Sequence, residues 1–270
     1  MTHPATDSPR RIRCPTQTVR EGLAAQIDVR KCYTTSLWGG FLFMLFTETG
    51  DRFYPQLRGV EYTQGSSVYG EPDRGIEAYL QGIWGQRVLD PTVGDGKYLP
   101  TLLAQENIVV GGDLNETVDR NGVRPLDSLA AKFPGQARSQ LHLLELNAFD
   151  EFPFRVGLFD CVVNTGFLYL FPPELAKRNV DETARVLDES GLFIFDFATG
   201  IQRIYPDGTP VYRAGSVDYS LTEGVALVRM LLQDSFESPQ ISISHIDQVL
   251  PNAGYTMKNT KLNVRAKKRT

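Results

Sequence analysis

Cysteine, histidine, net charge and long apolar runs are all in short supply. Cys14, Cys32 and Cys161 are an odd number, with no C-x-x-C pair and no zinc-ligand spacing. That argues against a disulfide scaffold or a zinc-built fold and is expected of a reducing, cytoplasmic setting. The strongest apolar run, LWGGFLFMLF at residues 37–46, is half of the roughly 20 residues a membrane span requires. With no apolar leader at the start either, no membrane partner is expected. A formal net charge of −4 gives no global electrostatic reason for a nucleic-acid partner. The basic residues Arg10, Arg11 and Arg13 and the closing RAKKRT gather at the two ends and read as solvated termini.

What remains is ordinary globular material, 41% hydrophobic and 22% charged, enough for one large α/β domain or two small ones. Residues 1–20 are rich in Pro, Thr and Arg and read as a flexible tail. Residues 21–84 are aromatic-rich and broken by Gly and Pro, without clean periodicity until RGIEAYLQGIW at 74–84, and read as a cover or substrate region. From residue 85 to 270 short apolar runs alternate with helical patterns at βαβ spacing. Strands are expected at 87–91, 107–114, 141–147, 158–164 and 191–197, with helices at 97–105, 124–132 and 173–189. Five such strands predict a doubly wound, Rossmann-like parallel sheet of the α/β class. A β insertion is expected at about 200–236, with an antiparallel pair formed by 211–221 and 225–234, then a helix at 245–255 and a last strand at 257–266. No internal repeat or low-complexity segment interrupts the pattern.

Open α/β sheets bind ligands outside the carboxyl ends of their strands, where strand order reverses, usually after the first strand. Gly94 and Gly96, in DPTVGDG, occupy that place. Glycines there let the backbone turn tightly and approach a ligand, opening onto a helix N-terminus. A dinucleotide G-x-G-x-x-G begun at Gly94 fails at Leu99, and a phosphate-binding P-loop fails at Pro91 and Tyr98, which makes NAD and ATP poor fits. Asp113 falls at the end of the second strand, where a carboxylate accepts both ribose hydroxyls of an adenosine ligand.

These residues resemble the class I S-adenosylmethionine (SAM)-dependent methyltransferase superfamily over roughly residues 85–196. VLDPTVGDG is similar to the first motif of that family, giving Asp90, Gly94 and Gly96, and VVGGDLNE to its acidic loop, placing Asp113 on ribose and Leu114 against adenine. ELNAFDEFPF resembles the segment that edges the adenine, so Asn147 and Ala148 inherit that role, and LFDCVVNTGFLYLF, with Asn164, resembles the fourth-strand motif. DETARVLDESGLFIFDF is similar to the helix and turn before strand five. Two departures stand out: Thr92 where the first glycine is common, and Asn147 where Asp is common.

The resemblance implies SAM as cofactor, held by Asp90, Thr92, Gly94, Gly96, Asp113, Leu114, Asn147, Ala148 and Asn164. It implies methyl transfer to a small-molecule acceptor, with specialised metabolism as the expected setting. Tyr169 stands where several small-molecule methyltransferases carry a histidine near the methyl group, and His3, His142 and His245 fall elsewhere. Tyr169 is the catalytic or positioning candidate, with packing as its competing reading. Tyr33, Trp38, Tyr212 and Arg213 are candidates for the acceptor pocket. The alternative is a methyltransferase fold turned to a non-methyl reaction, such as elimination or cyclisation of an anionic small molecule, motivated by Thr92, Asn147 and the missing histidine. A homodimer or a partner protein is compatible with either reading.

Overall fold

Short, largely apolar runs that end in a polar residue build the first four strands, and a run of 18 residues builds the fifth. In the computed structural model, which describes residues 72–114, 125–133, 137–211, 218–250 and 254–270, these are β1 (Arg87–Asp90), β2 (Ile108–Asp113), β3 (Leu141–Glu145), β4 (Phe159–Asn164) and β5 (Leu187–Ile204). The chain closes with β6 (Gln240–Leu250) and β7 (Tyr255–Lys267). One seven-stranded sheet results, in the order β3-β2-β1-β4-β5-β7-β6. β1 to β5 run parallel, β7 runs antiparallel to β5, and β6 is antiparallel to β7. The expected doubly wound sheet is therefore present, with an antiparallel extension.

Alternation along the strands sorts side chains between two faces. Leu89, Val162, Phe193, Phe195 and Phe197 pack with Val180 and Ala184 of helix α5 (Pro173–Val186) and with Val228 and Leu231 of helix α6 (Leu221–Leu232). Val88, Cys161, Val163 and Ile194 face the other way. They meet Ile76 and Leu80 of α1 (Arg74–Leu80), Leu99 and Leu102 of α2 (Leu99–Ala104), and Leu129 of α3 (Pro125–Lys132). A short helix, α4 (Ala137–Gln140), leads into β3. One face is thus built largely of phenylalanine and the other of smaller aliphatic groups. Helix α1 precedes the boundary expected at residue 85, yet its Ile76 and Leu80 are fully buried against the sheet.

The C-terminal third departs from expectation. Residues 225–234 do not form a strand of an antiparallel pair: they lie mostly in α6, whose buried Gly224, Val228, Leu231 and Leu232 recur at helical spacing. Ser220 caps that helix by accepting from the Glu223 amide while Glu223 accepts from the Ser220 amide, a reciprocal capping box. Gly224 is needed where α6 crosses β5, because a Cβ there would lie 2.5 Å from Thr199 Cγ2. Of the helix expected at 245–255, residues 245–250 are instead the end of β6, whose side chains alternate between exposed (Ile243, His245, Asp247, Val249) and half-buried (Ser244, Ile246, Gln248), and Tyr255 begins β7; residues 251–253 lie outside the described ones. Period two won because one face of this strand packs and the other does not. The helix expected to reach residue 189 ends at Val186, and β5 starts immediately after it.

Ser220→Ala removes one half of the capping box and is expected to lower unfolding free energy by about 1 kcal/mol, measured by urea denaturation, with little change in the denaturant slope.

Candidate functional site

In a sheet ordered β3-β2-β1-β4-β5, the winding reverses between β1 and β4 and opens a crevice at their carboxyl ends. The turn after β1 lines it. Gly94 and Gly96 have φ of 52° and 78°, in the left-handed region that favours glycine, and a Cβ on Gly96 would lie 2.6 Å from Leu129 Cδ2. The turn is tied to β2 twice: the Val93 amide donates to the Gly112 carbonyl at 2.8 Å and the Gly94 amide to Asp113 Oδ2 at 3.2 Å. Asp113 thus stands half-buried at the tip of β2 beside the glycines, with Leu114 half-buried after it.

Asp90 closes β1 beneath this turn, its Oδ1 accepting from the Thr92 amide at 3.2 Å. Burial pushes its carboxyl up to about 7; the Thr92 amide opposes that shift and the neighbouring Asp113 adds to it.

Across the crevice, four segments are joined by side-chain amides. Thr92 Oγ1 donates to Asn164 Oδ1 at 2.9 Å, Asn164 Nδ2 to Asn179 Oδ1 at 2.9 Å, and Asn179 Nδ2 to the Ala148 carbonyl at 2.7 Å. Asn164 and Asn179 are fully buried, and Ala148 is buried beside them. Asn147 uses its side chain in its own loop, accepting from the Phe149 amide at 3.0 Å and donating to Asp150 at 3.1 Å. Phe149, Phe167 and Phe171 form a ring cluster, with centroids 4.7 to 5.1 Å apart, that joins the loop after β3 to the loop after β4.

Tyr169 lies in a single 3-10 turn, Leu168–Leu170, with its ring edge-on to Phe197 at 6.1 Å. The turn is held from below by Asp196, whose Oδ1 accepts from the Gly166 amide and whose Oδ2 meets Lys261 Nζ, both at 2.6 Å. Burial pulls the Lys261 ammonium down, but Asp196, Tyr98 and Asp73 together outweigh it and raise the pKa to about 12. Lys97, directly after Gly96, is lowered to about 8, first by burial and next by repulsion from Lys261. Tyr98 receives a hydrogen bond from the Asp73 amide at 3.1 Å, fastening α1 to this end of the sheet.

Hydrogen bonds at the carboxyl ends of β1, β2 and β4 join Gly94 to Asp113, Thr92 to Asp90 and Asn164, and Asn164 through Asn179 to Ala148; Gly96 belongs to the same turn, and Leu114 and Asn147 follow the ends of β2 and β3. Tyr33, Trp38, Tyr212 and Arg213 lie outside the described residues. Asn179, Lys261, Lys97 and Tyr98 were not singled out from sequence. Lys97 and Tyr98 had a signal in following the glycine turn directly, whereas Asn179 and Lys261 reach the site only through tertiary packing. His142 and His245 are on β3 and β6, the two outer strands of the sheet, away from the crevice.

A carboxyl held near 7 in the fold and near 3.8 when unfolded binds its proton more tightly in the native state. Its contribution is full below about 4 and is lost as pH rises through about 7. Asp90→Asn is expected to flatten the fall in unfolding free energy over this window, followed by chemical denaturation at a series of pH values; a variant with the wild-type slope would contradict the assignment.

No protein-family model matches the chain, and no curated protein matches it in sequence. Solved structures do match its fold. A SAM-dependent methyltransferase from Methanosarcina mazei superposes with a TM-score of 0.53 at 16% identity, over 74% of this chain and 99% of that one. The 1,6-didemethyltoxoflavin-N1-methyltransferase of Burkholderia thailandensis, solved with 1,6-didemethyltoxoflavin and S-adenosylhomocysteine, matches with 0.50 at 17%, over 98% and 93%. A structure described for the conversion of a disulfide bond into a thioacetal group during echinomycin biosynthesis matches with 0.56 at 15%, over 83% and 93%. With the strand order and the crevice between β1 and β4, these likenesses give the chain the Rossmann-like fold of the class I SAM-dependent methyltransferases.

Proposed function

We propose that this protein binds SAM in the crevice between β1 and β4 and transfers its methyl group to a small-molecule acceptor, in specialised metabolism. The observation that carries the reading is the closed glycine turn: Gly94 and Gly96 in left-handed conformation, with the Gly94 amide on the Asp113 carboxylate at the reversal point of the sheet. The donor set fits the group. An acid at the tip of β2 suits ribose hydroxyls, and Cβ-free turns allow the backbone to approach a ligand closely. The solved neighbour with S-adenosylhomocysteine bound supports the same cofactor.

SAM, when bound, supplies an electrophilic methyl on a sulfonium. The residues of this chain bind and orient. Asp113 holds the ribose end, and the turn at 92–96 sets the depth of the ligand. The loop after β4, fixed from below by Asp196, forms the wall nearest the acceptor, with Tyr169 on it. Correct orientation alone is worth about 7 to 11 kcal/mol of barrier. A base is required only when the acceptor arrives protonated. Among the described residues no imidazole faces the crevice, which favours a nitrogen, carbon or readily ionised oxygen acceptor.

A second reading keeps the fold and replaces methyl transfer with another reaction of a small molecule. It is favoured by Thr92 and Asn147, which depart from the common methyltransferase pattern, and by the likeness to the structure described for disulfide-to-thioacetal conversion.

Calorimetric titration of SAM and S-adenosylhomocysteine into wild type and Asp113→Ala tests the first reading. Micromolar binding to wild type, weakened about tenfold or more in Asp113→Ala, is expected from loss of hydrogen bonds to a charged group. Wild-type protein that binds neither compound sinks the methyltransferase reading and leaves the second.

A further inference from the structure

The amide relay across the crevice has a direction, and that direction follows from its far end. The Ala148 carbonyl can only accept, so Asn179 must present its Nδ2 there, as the 2.7 Å bond shows. Its Oδ1 is then turned to Asn164, which must answer with Nδ2, and Asn164 Oδ1 in turn faces Thr92. An amide oxygen cannot donate, so the Thr92 hydroxyl proton is committed to Asn164. Thr92 is half-buried, and its oxygen is left with acceptor capacity alone. Both relay amides are fully buried, where reversing either one would set carbonyl against carbonyl with no water to compensate.

We propose that Asn179 is a positioning residue: through Asn164 it fixes the Thr92 hydroxyl as a hydrogen-bond acceptor at the reversal point of the sheet, matched to the cationic amino group of the amino-acid end of the ligand. This rests on the SAM reading above. With the ribose at Asp113 on β2, the remainder of such a ligand extends across β1 toward β4, where Thr92 and Asn164 meet. Thr92 is then an adaptation of the turn, in which a side-chain oxygen of fixed polarity meets an ammonium group.

The test compares two probes on one set of variants: S-adenosylhomocysteine, which carries the amino-acid end, and 5′-methylthioadenosine, which lacks it, measured as a competitor. Thr92→Val is expected to weaken S-adenosylhomocysteine about tenfold, the scale of one hydrogen bond to a charged group, and to leave methylthioadenosine unchanged. Thr92→Ser restores the wild-type value. Asn179→Leu, Asn179→Ala or Asn179→Ser, whichever keeps the wild-type melting midpoint, reproduces Thr92→Val, and a folded Asn179 variant that binds S-adenosylhomocysteine as tightly as wild type would overturn its positioning role. Equal weakening of both probes would mean that the relay only shapes the turn, and would overturn the proposal, as would a Thr92→Val variant with unchanged affinity for S-adenosylhomocysteine. Wild-type protein that binds neither probe is a different failure, seen before any variant is made: it removes the SAM reading and this inference with it.

Discussion

A carboxylate deep in a protein is stable only with its charge answered, and Asp196 is answered twice. Lys261 neutralises one oxygen and the Gly166 amide donates to the other. This arrangement is possible only because β7 enters the sheet antiparallel beside β5, bringing a lysine from near the end of the chain to the carboxyl end of the parallel strands. The same carboxylate fixes the loop after β4. The antiparallel extension therefore bears on the candidate site, since its Lys261 holds the carboxylate that fixes the start of the loop after β4.

The parallel half of the fold was legible in the sequence because β1 to β4 are each a short, largely apolar run ending in a polar residue at the carboxyl edge. Asp90, Asp113 and Asn164 mark three such ends, and the glycines after β1 mark the turn. The C-terminal third was misread for two physical reasons. The run at 225–234 is apolar enough to resemble a buried strand, and its helix is announced only by Ser220 and Glu223, the two residues of the capping box. In β6, the polar His245, Asp247 and Gln248 resemble a helix surface until the period-two burial of the strand is seen.

Asn179 and Lys261 were illegible for a different reason. Each meets the site across a long sequence separation, through packing of α5 and β7, and neither stands in a local pattern. Thr92 departs from the common glycine. In the fold its hydroxyl has a buried acceptor waiting for it, so the position and its partner Asn164 have to be read together. Local motifs located the turn after β1 and the acid at the tip of β2; only the tertiary contacts explain how they are held.

The ring cluster of Phe149, Phe167 and Phe171 carries a further consequence. Aromatic side chains have few rotatable bonds, and three of them in mutual contact leave the loops after β3 and β4 little independent freedom. A ligand entering between those loops would meet walls whose conformational entropy was already surrendered during folding. Recognition on this side of the crevice then resembles filling a mould, with discrimination set by shape and less by closure around the guest.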